Sequence, residues 1–218
     1  FKDSTLIDEK SLQKIYDLKQ YAPLHNTAEA DVIKAFMKVL PGVPEVAVFD
    51  TSFHQTLDPV HYLYSLPYKY YEKYGARKYG AHGTSVRYVS QKAAEIMKRD
   101  LKDLKLIVCH LGSGASVTAV KDGKSFDTSM GFSPMAGITM SSRSGDVDPS
   151  LLAFVMKKEN LDADQMLKVL NNESGLLGIS GISPDMRDLR GDMTKLEGEK
   201  KKRADLARNI FINRIIRY

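Results

Sequence analysis

The stretch from residue 104 to residue 128 constrains the fold most, because its apolar residues have strand-like spacing and two turn signals interrupt them. The first apolar run has the length of a strand and ends at Gly-Ser-Gly. In the next segment apolar and polar residues alternate, and this segment ends at Asp-Gly, a pair typical of a tight hairpin turn. We therefore predict strands over Leu104–Leu111, Ala115–Lys121 and Lys124–Thr128, joined at Gly112-Ser113-Gly114 and at Asp122-Gly123.

Helical spacing and capping residues surround this block. Asp8–Tyr21 and Ala28–Leu40 have amphipathic spacing, and a short buried strand over Glu45–Phe49 ends at Asp50. Further predicted helices run from Ser85 to about Lys98, over Ser150–Lys158 behind the cap Asp148, from Asp162 or Asp164 to about Asn171, from Ser183 to Leu189, and over Ala204–Tyr218. Gly175–Ile182 predicts a glycine-punctuated turn. The class is α/β or α+β with mixed strands.

Composition and charge exclude several classes of protein. The sequence has 218 residues, a net charge of +5, and no apolar run near the roughly 20 residues of a membrane span. One cysteine, Cys109, excludes a disulfide framework and fits a reducing cytoplasm, and we expect it in the core. The basic run Lys200–Arg203 follows Glu197 and Glu199, which predicts the solvated start of a helix and no nucleic-acid surface.

Two glycine-bearing segments are candidate anion sites. His110–Ser116 places glycines between two predicted strands, where main-chain N–H groups can approach an anion without a Cβ in the way. Tyr79–Ser85 carries His82 ahead of a predicted helix, near N–H donors that suit a phosphoryl group. A plain hairpin turn explains the first segment equally well, and a single loop hydrogen bond from His82 explains the second.

An arginine and an aspartate complete the candidate groups. Arg143 lies among small residues, and its planar guanidinium matches phosphoryl oxygens, although pairing with Asp146 or Asp148 is the alternative. Asp50 follows a buried strand, where ligand sites of α/β proteins gather, although a turn-initiating aspartate is the alternative.

Taken together, these segments closely resemble the acetate kinase family, in family order and at family spacing over nearly the whole chain. The matching stretches are Ala22-Pro23-Leu24-His25-Asn26, Val48–Thr56, Gly80–Tyr88, His110–Ser116, Asp127–Phe132, Arg143-Ser144-Gly145-Asp146 and Ser174–Leu189. The resemblance implies an α/β fold of two ribonuclease-H-like domains around a nucleotide cleft, as in the acetate and sugar kinase, heat-shock ATPase and actin superfamily.

The resemblance also implies roles for individual residues. Asp50 matches an essential carboxylate of the family, and His82 and Arg143 match groups that stabilise the transition state. The remaining matches are an ATP phosphate loop at His110, Leu111, Gly112, Ser113 and Gly114, an adenosine contact at Asp185, Met186 and Arg187, and a substrate pocket with Leu24, His25, Ala81 and Pro134. Most family ligands for Mg²⁺ fall outside this sequence, so no metal ligand is assigned.

Three positions depart from the family pattern. Ala81 replaces a common Phe, which predicts a wider acyl pocket. Val86 replaces a His, and Ser113 replaces an Asn, which removes polar groups on the nucleotide side.

The resemblance implies a central piece of a longer polypeptide, in agreement with a start at Phe1 and an end inside an amphipathic run. Residues 1–51 would be the last part of a first domain, and residues 52–218 most of a second. A homodimer in the cytoplasm is expected, without a nucleic-acid or membrane partner.

The implied reaction is reversible phosphoryl transfer from ATP to acetate, giving acetyl phosphate and ADP by direct in-line attack, with Mg²⁺ on the phosphates. Two alternatives stay open. One is a propionate or butyrate kinase of the same family. The other, for the isolated 218 residues, is a non-catalytic domain that binds nucleotide or forms a dimer.

Overall fold

A computed structural model of the protein describes residues 1, 3–20, 26–191 and 195–218. Its strands are β1 (Thr5–Leu6), β2 (Val46–Ala47), β3 (Lys105–Leu111), β4 (Ala115–Lys121) and β5 (Lys124–Thr128). Its α-helices are α1 (Glu9–Asp17), α2 (Asn26–Val39), α3 (Pro59–Tyr62), α4 (Lys69–Tyr74), α5 (Gly83–Met97), α6 (Pro149–Glu159), α7 (Ala163–Asn172), α8 (Gly175–Ser180), α9 (Met186–Arg190) and α10 (Gly198–Arg217). Short 3₁₀ turns occupy Leu18–Gln20, Ser52–Thr56 and Leu101–Asp103.

The first fifty residues build a small unit of their own. β1 and β2 pair in antiparallel fashion, and α1 and α2 bury Leu12, Ile15 and Ala30 against each other. Asp8 caps α1 by accepting a hydrogen bond from the backbone N–H of Ser11 at 2.6 Å. Both predicted helices are present, but α1 ends at Asp17 and a 3₁₀ turn follows it, while Tyr21 lies outside the described residues. β2 is shorter than the predicted strand.

The central sheet has the order β3-β4-β5, and all its pairs are antiparallel. Leu111 pairs with Ala115, so residues 112–114 form the predicted tight connection. On one face, Val108 and Val120 pack with Val86 of α5. On the other face, the sheet packs against a core cluster made of Ala81, Ala115, Val117, Met130, Ile138 and Met140, with Phe211 and Ile215 of α10 against it.

The expectation for Cys109 is wrong, because this side chain is exposed. Alternation along β3 turns Val108 toward α5 and Cys109 toward the opposite face. On that face the core cluster contacts β4, while the neighbours Ile107 and Leu111 of β3 are 67% and 52% exposed.

Several helix ends differ from the predicted ones. α5 begins at Gly83 and not after Ser85, and the residue at its N-cap position is His82. Gly175–Ile182 was predicted as a turn, but Gly175–Ser180 is a helix whose first N–H groups donate to the carbonyls of Met140 and Ser141. α9 is capped by Asp185 and not by Ser183.

α10 joins the last helices into one layer. Ala204 and Ala207 of α10 pack with Leu176 of α8 and Leu189 of α9. The basic run lies in the first turns of α10, as predicted, and Arg203 donates to the carbonyl of Ile179 at 2.8 Å. In the described part of the chain, no helix is both long and apolar enough to cross a membrane.

Candidate active site

The loop after β2 holds the start of α5. The carboxylate of Asp50 accepts a hydrogen bond from the backbone N–H of His82 at 2.5 Å, and its carbonyl accepts one from Gly83 at 2.7 Å. A Cβ at residue 83 would collide with that carbonyl, so this close approach requires glycine. Asp50 therefore fixes the backbone that carries His82, although the two residues are 32 positions apart.

The His82 side chain lies among polar groups in a half-buried position. Its Nδ1 lies 2.9 Å from Oγ of the buried Ser116, and its ring stacks on the His110 ring with 4.0 Å between centroids. Burial first, and then the neighbouring His110, lower the pKa of His82 from 6.5 to about 4. The imidazole is therefore neutral at pH 7, and it could contact an anion only through an N–H donor.

Arg143 is half-buried, and within the described residues most of its donors have no hydrogen-bond partner. Its Nη1 donates to the carbonyl of Pro134 at 3.3 Å, and burial lowers the pKa of its guanidinium. Among the described residues it makes no ion pair. Asp146 is bonded to the N–H of Gly137 and the hydroxyl of Tyr218, while Asp148 caps α6. The alternative that Asp146 or Asp148 neutralises Arg143 is therefore not supported.

Arg143 and His82 converge at the glycine turn between β3 and β4. A Cβ placed on Gly114 would lie 3.3 Å from Nη1 of Arg143 and 3.3 Å from Nε2 of His82. Both nitrogens thus border one small space beside bare main chain. The backbone N–H of Ser141 also donates to the carbonyl of Ser113 at 3.1 Å, which ties the turn to the Arg143 segment.

The other predicted phosphate-loop residues lie around this point. His110 is half-buried, and its Nδ1 lies 2.9 Å from Oγ of Ser85. Leu111, Gly112 and Ser113 are exposed.

The predicted substrate pocket is only partly described. Ala81 is 6% exposed and packs in the core cluster, and Pro134 is half-buried beside Arg143. Leu24 and His25 lie outside the described residues.

The predicted adenosine contact is a local arrangement on α9. Arg187 forms an ion pair with Asp185 at 2.6 Å, and its hydrogen bonds lower the pKa of Asp185 to about 2. Met186 packs against the cluster around Leu189.

Sequence reasoning missed the two serines that hold the histidine rings. Ser116 is buried in β4 between Ala115 and Val117, and a polar residue in an apolar strand is a usable signal. Ser85 was predicted as a helix cap, but its hydroxyl contacts His110 instead. Within the described ranges, no three His, Cys, Asp or Glu side chains converge as a metal site.

Comparison with solved structures identifies the fold. Over all of this chain and 54% of the other, it superposes on the Porphyromonas gingivalis acetate kinase with a TM-score of 0.91 and 42% identity. A Francisella tularensis propionate kinase matches 99% of this chain and 54% of its own, with a TM-score of 0.92 and 44% identity. The protein therefore has the expected α/β, ribonuclease-H-like fold.

The chain belongs to the acetokinase family, whose model matches residues 1–218. It is 60% identical to the acetate kinase of Lacticaseibacillus paracasei and 57% identical to that of Limosilactobacillus fermentum, and each match covers the whole of this chain. In both cases it covers 54% of the relative, so the chain spans about half the length of the curated relatives it matches.

Proposed function

We propose that the full-length protein containing this chain transfers a phosphoryl group reversibly from ATP to acetate. The convergence of Arg143 Nη1 and His82 Nε2 at Gly114 carries this proposal. Phosphoryl transfer depends mainly on positioning and on neutralising charge at the transferred group. A charged guanidinium, a neutral N–H donor and bare main chain at one point supply both.

The proposed chemistry is a direct in-line displacement. A carboxylate oxygen of acetate attacks the γ-phosphorus, the bond to the β–γ bridging oxygen breaks, and ADP leaves. Arg143 and His82 donate to the equatorial phosphoryl oxygens, where negative charge concentrates. A carboxylic acid substrate has a pKa of roughly 4–5, so acetate is already ionised at pH 7 and needs no general base.

Because acetate needs no general base, we assign Asp50 a positioning role and no role in proton transfer. One carboxylate oxygen accepts the His82 N–H, and in the described part of the chain no group bonds the other. Mg²⁺ binds typically through one or two carboxylates plus substrate phosphates, so Asp50 fits as one ligand, directly or through water. Magnesium would supply charge neutralisation on the phosphates.

The nucleotide would lie along the turn and α9. His110, Leu111, Gly112, Ser113 and Gly114 would face its phosphates, and the exposure of residues 111–113 supports this. Asp185, Met186 and Arg187 would contact the adenosine, and in this structure the exposed Arg187 is paired with Asp185.

A propionate kinase is the second candidate, and two observations favour it. One of the matched structures is a propionate kinase at 44% identity, and residue 81 is the small Ala. Leu24, His25, Ala81 and Pro134 remain the proposed pocket in either case. Met130 and Met140 pack with Ala81, and methionine side chains adapt readily to a changed neighbour.

We also propose a domain boundary near Thr51, together with a cytoplasmic homodimer. Among the described residues, the core cluster around Leu12 contains only residues from Ile7 to Phe49, and the other clusters begin at Phe53. For the 218 residues alone, nucleotide binding or dimer formation without catalysis remains the alternative.

The deciding experiment incubates the complete gene product with ATP, Mg²⁺ and hydroxylamine, with acetate, propionate or no acid. We expect ADP and acyl hydroxamate in equal amounts, with acetate preferred. Hydroxamate formed mainly from propionate would select the second candidate. ADP release independent of any acid would contradict both.

A further inference from the structure

His54 is a fully buried imidazole that the proposed chemistry does not use. It lies in the 3₁₀ turn Ser52–Thr56, four residues after Asp50, and it is 0% exposed. Its Nε2 lies 2.8 Å from the carbonyl oxygen of Ala81, and its Nδ1 lies 2.8 Å from Oγ of Ser125. Both contacts are buried, so His54 links the turn to β5 and to the segment just before His82.

These contacts fix the tautomer of the His54 ring. A carbonyl oxygen only accepts, so Nε2 must carry the proton that it donates to Ala81. Nδ1 then accepts from the hydroxyl of Ser125. Burial lowers the pKa of His54, in agreement with a neutral ring at this position.

The Ala81–His82 peptide unit is held on both sides from the same short segment. Its carbonyl accepts from His54, and its N–H donates to the carboxylate of Asp50. His82 adopts a left-handed φ of 60°, which a residue with a Cβ tolerates only when its surroundings hold it. The orientation of this peptide sets the direction in which the imidazole of His82 leaves the backbone.

Gly80 brings the segment into contact with the His54 ring. It has a φ of 72°, and a Cβ there would lie 2.7 Å from Cδ2 of His54 and 2.8 Å from Cγ2 of Thr128. The backbone N–H of Gly80 also donates to the carbonyl of Gly131 at 3.1 Å. Residues 80–82 therefore have little freedom to shift while His54 remains in place.

We propose that His54 is a positioning residue, which fixes the Ala81–His82 peptide through Nε2 and so directs the His82 imidazole at the transferred phosphoryl group. The inference rests on the proposed function. His54 is buried and does not itself reach the reacting atoms. It acts through the main chain, as the counterpart of Asp50 on the other side of one peptide bond.

Two substitutions separate the two contacts of His54. Gln places an amide N–H at the ε position and can still donate to Ala81, whereas Asn ends at the δ position and can serve only Ser125. We expect H54N in the complete gene product to lower kcat by up to about 100-fold with KM unchanged, because a small displacement of an aligned group has that effect. We expect H54Q to restore most of kcat.

The control is Ser125→Ala, which removes the other contact and leaves Ala81 bonded. We expect its Tm to fall while kcat stays near that of the parent. The proposal would be overturned if kcat fell in step with Tm across H54N, H54Q and Ser125→Ala, regardless of which contact each variant loses. An H54N variant with parental kcat would also overturn it.

Imidazole ¹⁵N NMR of the parent protein gives a readout independent of variant folding and of activity. We expect His54 to be the Nε2–H tautomer, and an Nδ1–H tautomer would overturn the proposal. A parent that makes no acyl phosphate would refute the proposed function but leave this measurement valid. If the parent is active and H54N has the parental kcat, only the role of His54 is refuted.

Discussion

Arg143 and Arg187 show how differently two parts of the molecule use the same side chain. Arg143 is half-buried, donates to a carbonyl, and has its pKa lowered by burial. Arg187 is exposed on α9, and its pKa is raised by the hydrogen-bonded Asp185 two residues away. Within the described part of the chain, the Arg143 guanidinium has no carboxylate partner, whereas the Arg187 guanidinium is paired with Asp185.

The two regions also differ in the sequence distance of the contacts that form them. Around His82, partners come from Asp50 and Ser116, which are 32 and 34 residues away. Around Arg187, the partners lie within one helical turn. A rigid charged site assembled over long distances suits transition-state stabilisation, and a local exposed pair suits adjustable ligand contact.

The largest expected effect separates the two arginines. We expect Arg143→Ala to lower kcat by about 100- to 1,000-fold, because it removes a preorganised donor from the phosphoryl group. Arg187→Ala is the matched control, and we expect it to raise KM for ATP with a much smaller change in kcat. Steady-state hydroxamate assays measure both. Similar losses of kcat in the two variants would erase the distinction between the regions.

The second effect concerns the glycine turn. Gly114→Ala would place a methyl group between Arg143 and His82, so we expect kcat to fall about 10- to 100-fold through displacement of these groups. Gly112→Ala is the comparison variant: its Cβ would approach the Gly114 carbonyl and the His110 ring of the proposed phosphate loop, so we expect a higher KM for ATP and a smaller loss of kcat. Equal kinetics in the two variants would show that the space at Gly114 is not used.

The third effect tests the proposed acyl pocket beside the site around His82 and Arg143. We expect Ala81→Phe to raise the acetate to propionate ratio of kcat/KM by roughly tenfold, because a narrower pocket excludes one methylene. The Tm of the variant shows how far the core around Met130 and Met140 accepts the larger side chain. An unchanged ratio would remove Ala81 from substrate selection.

The smallest effect is on stability as the pH changes. The pKa of His82 falls from 6.5 to about 4 on folding, so between these values the unfolded chain binds more protons. The contribution of His82 to the free energy of unfolding therefore decreases as the pH falls from 6.5 to 4, and we expect the total decrease to be smaller in His82→Asn.

Asp185 provides the matched control for this pH dependence. Its pKa is lowered from 3.8 to about 2, so its contribution is present above pH 3.8 and is lost only below that value. Urea unfolding of Asp185→Asn should keep the parental slope between pH 4 and 6.5. A His82→Asn protein with the parental slope would contradict the assigned shift.

The strands of the central sheet were predictable to within one residue, because their signals are local. Alternation and the Asp122-Gly123 turn are visible in a window of a few residues. The exposure of Cys109 was not predictable, since it depends on which strand α10 and the segment after β5 cover. The helix over Gly175–Ser180 was missed because distant carbonyls bind its first N–H groups.

The candidate site was predictable as a set of residues but not as a geometry. Asp50, His82, Arg143 and the glycine turn were identified from motifs and from a family resemblance. The left-handed backbone of His82 and the partners Ser85, Ser116 and His54 depend on contacts across 25 to 34 residues. No local pattern encodes such contacts.

A crystal structure of the complete gene product with ADP, acetate, Mg²⁺ and a planar metal fluoride in place of the phosphoryl group is the most direct measurement. We expect Arg143 and the Nε2 of His82 both to donate to fluoride atoms beside Gly114, with an acetate oxygen in line. A planar group bound elsewhere, or touched by neither side chain, would contradict it.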